Sequence, residues 1–331
     1  MNSECQTTFP GPIRIGIMGC AAIARRSLAP AMKALPDQFE LVAAASRSPE
    51  KARAFAGQVG CEPVTGYERL LERGDLDAVY IPLPTGLHEE WVLRTLDSGR
   101  HVLAEKSLAC DLASAEKMVA KARQRNRLLM EEFMFCHHSQ HEFVRKLLAD
   151  GQAGELRAVR SSFGFPPLAP DNIRYVAALG GGALLDAGSY TLKTAQLFLG
   201  PEIRVLGAHL NLDLARGIDL GGAALLRDSI GVTAQVAFGF DHFYQCAYEL
   251  WGSAGRIIVP RAFTPPPGFA PQVILERQGK REEFTLPADD HFRKILLEFA
   301  QAITCANFEP HWEACVSQAR LVQQVKDLCP Q

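Results

Sequence analysis

Ile13-Arg14-Ile15-Gly16-Ile17-Met18-Gly19-Cys20-Ala21-Ala22-Ile23-Ala24 is the stretch on which the fold turns. A short apolar run ends in a glycine and five small or apolar residues, and Ile23–Leu35 repeats its apolar positions three or four apart. Strand, tight turn and amphipathic helix follow one another. Working outward, the same rhythm recurs. Leu41–Ser46, Ala78–Ile81, His101–Ala104 and Leu128–Met130 read as further strands, and Pro49–Gly57, His88–Ser98 and Asp111–Arg125 as the helices between them. That alternation predicts a parallel sheet wrapped by helices.

The rhythm changes after residue 132. A helix at Gln140–Asp150 leads into a long strand, Leu156–Phe165, and a loop carrying Pro166, Pro167 and Pro170. Ile203–Leu212, Ala223–Leu226, Gly231–Phe240, Tyr244–Trp251, Arg256–Val259, Val273–Arg277 and Glu283–Leu286 then follow as strands joined by short turns. The expected fold is α/β: an N-terminal dinucleotide-binding domain over residues 1–132, and a C-terminal α+β domain over 133–331 with a large, mostly antiparallel, open-faced sheet. Helices at Gly182–Leu199 and Phe292–Ala306 cover one side of that sheet. The uncovered side predicts a homodimer or homotetramer.

The composition narrows the partners. With 331 residues, 47% apolar and 22% charged, the chain has the make-up of a globular enzyme. A net charge of -2 argues against nucleic acid or an anionic membrane as partner. No apolar run approaches the roughly 18 to 20 residues of a membrane span, and Met1 to Thr8 lacks the apolar segment of a secretion signal. Nine cysteines, an odd number without a CxxC pair, read as reduced thiols. The expected compartment is the cytoplasm.

The turn at Gly19 is a degenerate Rossmann fingerprint. Glycine permits the sharp change of direction, Ala21 lets backbone approach a pyrophosphate, and Ala24 allows close helix packing. Cys20, Ala22 and Ile23 complete the segment, whose N–H groups at the helix start are suited to phosphate. At the end of the second strand stands Ser46-Arg47-Ser48, with no acid before Glu50. A hydroxyl and a guanidinium suit a ribose 2′-phosphate, so the expected cofactor is NADP(H).

Three segments together resemble the glucose-fructose oxidoreductase/inositol dehydrogenase (Gfo/Idh/MocA) family: the Gly19 turn, Ala104-Glu105-Lys106, and Gly180-Gly181-Gly182-Ala183-Leu184-Leu185-Asp186-Ala187-Gly188-Ser189-Tyr190. Within it, Leu129-Met130-Glu131-Glu132-Phe133-Met134-Phe135, His137-His138-Ser139-Gln140-His141 and Asn172-Ile173-Arg174-Tyr175 are similar to a branch of sugar C-3 ketoreductases. The resemblance implies NADPH-dependent reduction of the 3-keto group of a nucleotide-linked, typically dTDP-linked, deoxysugar. Alternatives are a dehydrogenase of free sugars or trans-dihydrodiols, and a non-catalytic NADP-binding regulator.

Hydride delivery to a ketone builds negative charge on oxygen, which calls for a cation and a proton source. Lys106, at the end of a parallel strand, is expected to polarise the carbonyl, and Tyr190 to donate the proton. Asp186 lies one helical turn before Tyr190 and is expected to bind substrate hydroxyls or tune Tyr190. Glu105, Leu83, Pro84 and His88 are expected to line the cofactor. His138 and Gln140 are placed near the sugar or its diphosphate, and Arg174 and Tyr175 near the diphosphate or base; a surface ion pair is the other reading of Arg174. His137 and His141, one turn apart, lack the companions of a metal site, so no metal is expected.

One position departs from the family. A proline usually follows the lysine, and several members are thought to hold that bond cis, whereas this chain has Ser107. A cis bond before a residue other than proline costs about 3 to 4 kcal/mol. Lys106–Ser107 is therefore expected to be trans.

Overall fold

The computed structural model describes residues 11–329; the stretch Met1–Thr8 read for a secretion signal, and Cys5, lie outside them. Contacts divide the chain into two compact units. One comprises the chain up to Glu132 together with Phe292–Val316, and the other Phe133–His291 with the chain from Ser317 on.

The first unit is built on strands β1 (Ile13–Met18), β2 (Phe39–Ser46), β3 (Glu62–Thr65), β4 (Ala78–Ile81), β5 (His101–Glu105) and β6 (Leu129–Glu132), in the order β3-β2-β1-β4-β5-β6. The strands pair in parallel throughout. The order reverses beside β1, which opens a crevice at the C-terminal strand ends. Ile15, Ile17, Ala43, Val79, Tyr80, Val102 and Leu103 have no exposed surface, as strands covered on both faces require. Between the strands run α1 (Ala29–Lys33), α2 (Pro49–Val59), α3 (Tyr67–Leu71), α4 (His88–Asp97) and α5 (Leu112–Arg125). Ser48 caps α2 by accepting the Lys51 N–H, and Asp111 caps α5 by accepting that of Ser114.

The second unit carries α6 (Ser139–Ala149), α7 (Ser189–Leu199) and strands β7 (Leu156–Gly164), β8 (Arg204–Asp213), β9 (Ile218–Arg227), β10 (Thr233–Gly239), β11 (Gln245–Gly252), β12 (Gly255–Val259), β13 (Gln272–Arg277) and β14 (Lys280–Thr285). They form one sheet, β14-β13-β12-β11-β7-β10-β9-β8, in which β7 and β10 are parallel and the other pairs antiparallel. The mixed α/β architecture agrees with the sequence reading. On this sheet an ion-pair ladder crosses five strands: Arg160 to Glu249 (3.2 Å), Glu249 to Arg256 (3.0 Å), Arg256 to Glu276 (2.6 Å), Glu276 to Arg281 (2.7 Å) and Arg281 to Glu283 (2.8 Å).

Three features depart from expectation. β3 and α3 were not anticipated, since Glu62-Pro63-Val64-Thr65 is short, largely exposed and interrupted by proline. A single cut at residue 132 assigns the C-terminal helices α8 (His291–Thr304) and α9 (Glu309–Asp327) to the second domain, yet Phe292–Val316 packs within the first unit. Trp312 donates its indole N–H to the Arg127 carbonyl (3.3 Å), and Phe308 meets His101 edge-on at 5.5 Å. Finally, seven of the described cysteines are free, but Cys305, half-buried just past α8, is disulfide-bonded, which corrects the expectation of reduced thiols there. Among the described residues no helix is long and apolar enough to cross a membrane.

The helix bearing Tyr190 is seated on the sheet through aromatic rings, of which Phe238 is the one set against glycine. Phe238 of β10 is 1% exposed, and it fills space left by the missing side chains of Gly188 and Gly222, where a Cβ would come within 3.1 and 3.0 Å of it. Phe238→Ala is expected to lower the unfolding free energy by about 3–5 kcal/mol. Urea denaturation of the two chains, compared at equal slope, measures it.

Candidate functional site

The residues singled out in the sequence fall into two groups, one in each unit. In the first unit, β1 ends at Gly19, whose N–H donates to the Ala45 carbonyl at 2.9 Å. Its φ of +119° favours glycine, and a Cβ there would meet Leu83 Cδ2 at 2.8 Å. Cys20 and Ala21 follow half-buried, and the helix begins at Ala22 and Ile23 before passing through a π turn at Ala24–Leu28. Its first N–H groups have no carbonyl within the helix to bond. The Cys20 thiol points to the carbonyls of Ala45 (3.9 Å) and Lys51 (3.7 Å), and burial pushes its pKa up.

The neighbouring strand end presents Ser46, buried, and Arg47, exposed. Ser46 Oγ accepts the Ser48 N–H (3.3 Å), while burial raises the Tyr67 pKa and the nearby Arg47 charge opposes it. Tyr67 itself packs edge-on against Trp91 at 5.0 Å. Sequence reasoning missed Tyr67 because α3, which carries it, gave no periodic signal.

Leu83 and Pro84 follow β4. His88, expected to line the cofactor, is fully buried. Its Nε2 lies 2.7 Å from the Leu83 carbonyl, and its Nδ1 3.1 Å from those of Ser107 and Leu108. Burial pushes its pKa down against the upward pull of the three carbonyls. The buried imidazole ties the loop after β4 to the loop after β5. Thr85 opens a short 3-10 turn, Thr85–Leu87, and provides no side-chain cap.

Glu105 and Lys106, half-buried, close β5. Tyr80 donates its hydroxyl proton to Glu105 Oε1 at 2.5 Å, and the Leu108 N–H donates to Glu131 Oε1 at 2.8 Å. The Lys106–Ser107 peptide is cis, which overturns the trans expectation. Tertiary partners on either side, His88 at the Ser107 carbonyl and Glu131 at the Leu108 N–H, hold this segment, and a preference judged from residue type alone does not count them.

In the second unit, the triple glycine leads into a π turn at Leu184–Gly188 and then α7. Gly181 sits where a Cβ would come within 2.6 Å of the Arg174 carbonyl. Asp186 accepts from Arg174 Nε at 2.6 Å, so the structure brings these two predicted residues together as an ion pair. Because the turn is π rather than α, Asp186 and Tyr190 do not follow the simple four-residue stagger expected of them.

Tyr190 is 6% exposed inside a cage of Phe133, Phe135, Phe163 and Phe263, with ring centroids 5.2 to 5.7 Å away, and its hydroxyl lies 3.8 Å from the Met134 sulfur. Tyr175 accepts the Leu168 N–H at its hydroxyl (3.0 Å) and packs between Phe240 and the Arg216 guanidinium.

His138 and Gln140 are not surfaces for a sugar. Both are sealed from solvent, Gln140 donating from Nε2 to the carbonyls of Ala262 (3.0 Å) and Arg261 (3.3 Å) and His138 packing edge-on against His291. Gln140 thereby holds the start of α6 against the loop after β12, and His138 packs it against His291.

Asp219 of β9 is the second residue the sequence did not disclose. Its carboxylate accepts the Leu184 N–H at 2.6 Å, and it lies against Gly182, where a Cβ would meet Oδ1 at 2.4 Å. It thus caps, from 35 residues away, the helix that bears Asp186 and Tyr190. Burial raises its pKa to about 6, against the pull of these N–H groups.

The chain matches two family profiles: residues 13–133 match "Oxidoreductase family, NAD-binding Rossmann fold", and residues 141–258 match "GFO/IDH/MocA C-terminal domain". It is 48% identical over 316 residues to a dTDP-3,4-didehydro-2,6-dideoxy-alpha-D-glucose 3-reductase of Actinomadura kijaniata, covering 95% of each chain. It is 46% identical over 321 residues to the enzyme of the same name from Saccharopolyspora spinosa, covering 95% of this chain and 96% of that one. Among solved structures, a 3-ketoreductase from Actinomadura kijaniata in complex with NADP and TDP-benzene superposes with a TM-score of 0.93 at 47% identity, covering 96% of this chain and 98% of that one.

A carboxylate whose folded pKa is raised contributes stability below its unfolded pKa and loses it as pH rises through the folded value. Asp219→Asn keeps an oxygen to accept the Leu184 N–H and removes the buried charge. The variant is therefore expected to gain stability over the wild type as pH climbs from about 4 to about 6, with a constant margin above. Urea melts at intervals across that range decide it, and parallel curves for the two chains would refute the buried charge.

Proposed function

The chain belongs to the GFO/IDH/MocA oxidoreductase family, and from that premise we propose that it is an NADPH-dependent reductase of the C-3 ketone of a dTDP-linked deoxysugar. The observation that carries this reading is the co-occurrence, in a chain nearly half-identical to 3-reductases along its length, of the Gly19 turn, Lys106 ending β5, and Tyr190 on α7.

The residues fit the cofactor. Gly19 leaves backbone where a Cβ would fill the turn, Ala21 is small, and the helix start offers N–H groups to a pyrophosphate. Ser46 and the exposed Arg47 end β2 with a hydroxyl and a fixed positive charge, a pairing suited to a 2′-phosphate. When bound, NADPH supplies the hydride. The Lys106 ammonium orients the keto oxygen and stabilises the charge that develops on it, and the Tyr190 hydroxyl delivers the proton that completes the alcohol. Asp186, anchored by Arg174, binds hydroxyl groups of the sugar. In this reading residues 1–132 hold NADP, and 133–331 supply substrate binding and assembly.

Assembly as a homodimer or homotetramer would use the open face of the eight-stranded sheet, where Leu225 and Trp251 stay exposed beside the ion-pair ladder. The cytoplasm is the proposed compartment, supported by the seven free thiols.

Lys106→Ala and Tyr190→Phe are each expected to reduce turnover of a dTDP-linked 3-keto sugar by about a hundredfold or more while NADPH affinity stays nearly unchanged, because both groups act on the transition state. Steady-state kinetics with a parallel cofactor titration reads both, and wild-type turnover in either variant would remove that assignment. Arg47→Asp is expected to turn the preference from NADPH towards NADH, measured as the ratio of kcat/KM for the two. An unchanged ratio would count against the phosphate role.

A further inference from the structure

Glu105 and Glu132 stand in register at the C-terminal ends of the neighbouring parallel strands β5 and β6, on the same face of the sheet. Two carboxyl groups side by side at this point are unexpected, because Lys106 follows immediately and supplies one positive charge. They also differ in surroundings. Glu105 is half-buried and accepts a proton from the Tyr80 hydroxyl at 2.5 Å. Glu132 is 1% exposed, and its Oε1, sealed from solvent, receives no hydrogen bond.

A buried carboxylate oxygen without a donor is costly, whereas a protonated carboxyl carries a proton of its own and needs only an acceptor. The candidate acceptor in register with it is the Glu105 carboxylate. The charged groups that bear on Glu132 are Glu105 and Lys106, both from the end of β5. Tyr80 of β4 reaches the cluster through Glu105, and Glu131, adjacent on β6, turns to the other face and accepts the Leu108 N–H.

We propose that Glu132 is a positioning residue for Lys106: a neutral carboxylic acid that keeps its proton and donates a hydrogen bond to Glu105, so that the lysine faces one negative charge held between two carboxyl groups. Burial first, and the Glu105 charge second, raise the pKa of Glu132 well above the carboxylate range, with Lys106 opposing them. The consequence lies in the strength of the counter-charge. Two ionised carboxylates would bind the ammonium tightly and weaken its pull on the keto oxygen. One shared charge, further tied to Tyr80, keeps Lys106 oriented while leaving it able to turn to substrate.

The proposal rests on the role of Lys106 given above, so its first test avoids turnover. The infrared difference spectrum of the full chain, carbon-13-labelled at glutamate, minus Glu132→Gln at neutral pH is expected to contain the carbonyl stretch of a protonated carboxylic acid. Absence of that band overturns the proposal whatever the chain reduces. In kinetics, Glu132→Ala is expected to lower kcat/KM about tenfold or more by leaving Glu105 without its donor, and Glu132→Gln, which can still donate, to restore most of it. The wild-type rate is expected to fall at alkaline pH as Glu132 ionises, and Glu132→Gln to lack that limb. A band present but with Glu132→Ala as active as wild type across the pH range, or an identical alkaline limb in Glu132→Gln, would overturn the positioning role.

Discussion

Polar groups withdrawn from water must be matched inside the protein, and both units are organised around the few places where this matching is done by side chains from distant parts of the chain. In the first, one imidazole lies within hydrogen-bond distance of three carbonyls, its single N–H donating on one side, and thereby joins the loops that carry Leu83 and Lys106. In the second, a carboxylate from the sheet satisfies the opening N–H of the helix that carries Asp186 and Tyr190. Gln318 adds a third tie, donating to the Ser189 carbonyl at 3.0 Å. These contacts fix loop and helix ends, where flexible side chains would otherwise have nothing to stand on. Reactive groups set on such ends inherit the precision of the scaffold beneath them.

Much of this was legible in the sequence. Strand-forming runs buried on both faces announce themselves as unbroken apolar stretches, which is why β1, β4 and β5 were found within a residue or so of their bounds. Lys106 and Tyr190 stood out because they end the segments that resemble the family, and their residue types suit the chemistry expected at a ketone. What could not be read falls into two physical classes. A π turn of five residues, as at Leu184–Gly188, is too short to alter an apolar period. Tertiary partners such as Asp219 for Leu184, Tyr67 for Arg47 or His88 for Ser107 leave no local trace, since nothing near either residue in the chain encodes the meeting.

The buried polar residues of the second unit teach the same lesson in reverse. His138 and Gln140 were placed near the sugar by their position just past the dinucleotide-binding half, yet both are sealed from solvent. The cause is internal, in that Gln140 satisfies two carbonyls after β12 and His141 Nδ1 meets the Tyr248 hydroxyl at 2.9 Å. A polar residue in an otherwise apolar stretch marks a constraint, and residue type alone does not say whether that constraint is a substrate or the fold's own backbone.

The charged ladder across β7, β11, β12, β13 and β14 has an effect on how the sheet can be assembled. Sliding one strand past its neighbour by two residues leaves each side chain on its original face, so burial alone does little to forbid it. Between β13 and β14 the native register sets Glu276 opposite Arg281. Sliding one way would bring Glu283 opposite Glu276, and sliding the other would leave Arg281 facing Ile274. Alternating sign along the ladder thus works as a combination lock on strand alignment at the end of the sheet, where one strand edge is open and mispairing with another molecule is easiest.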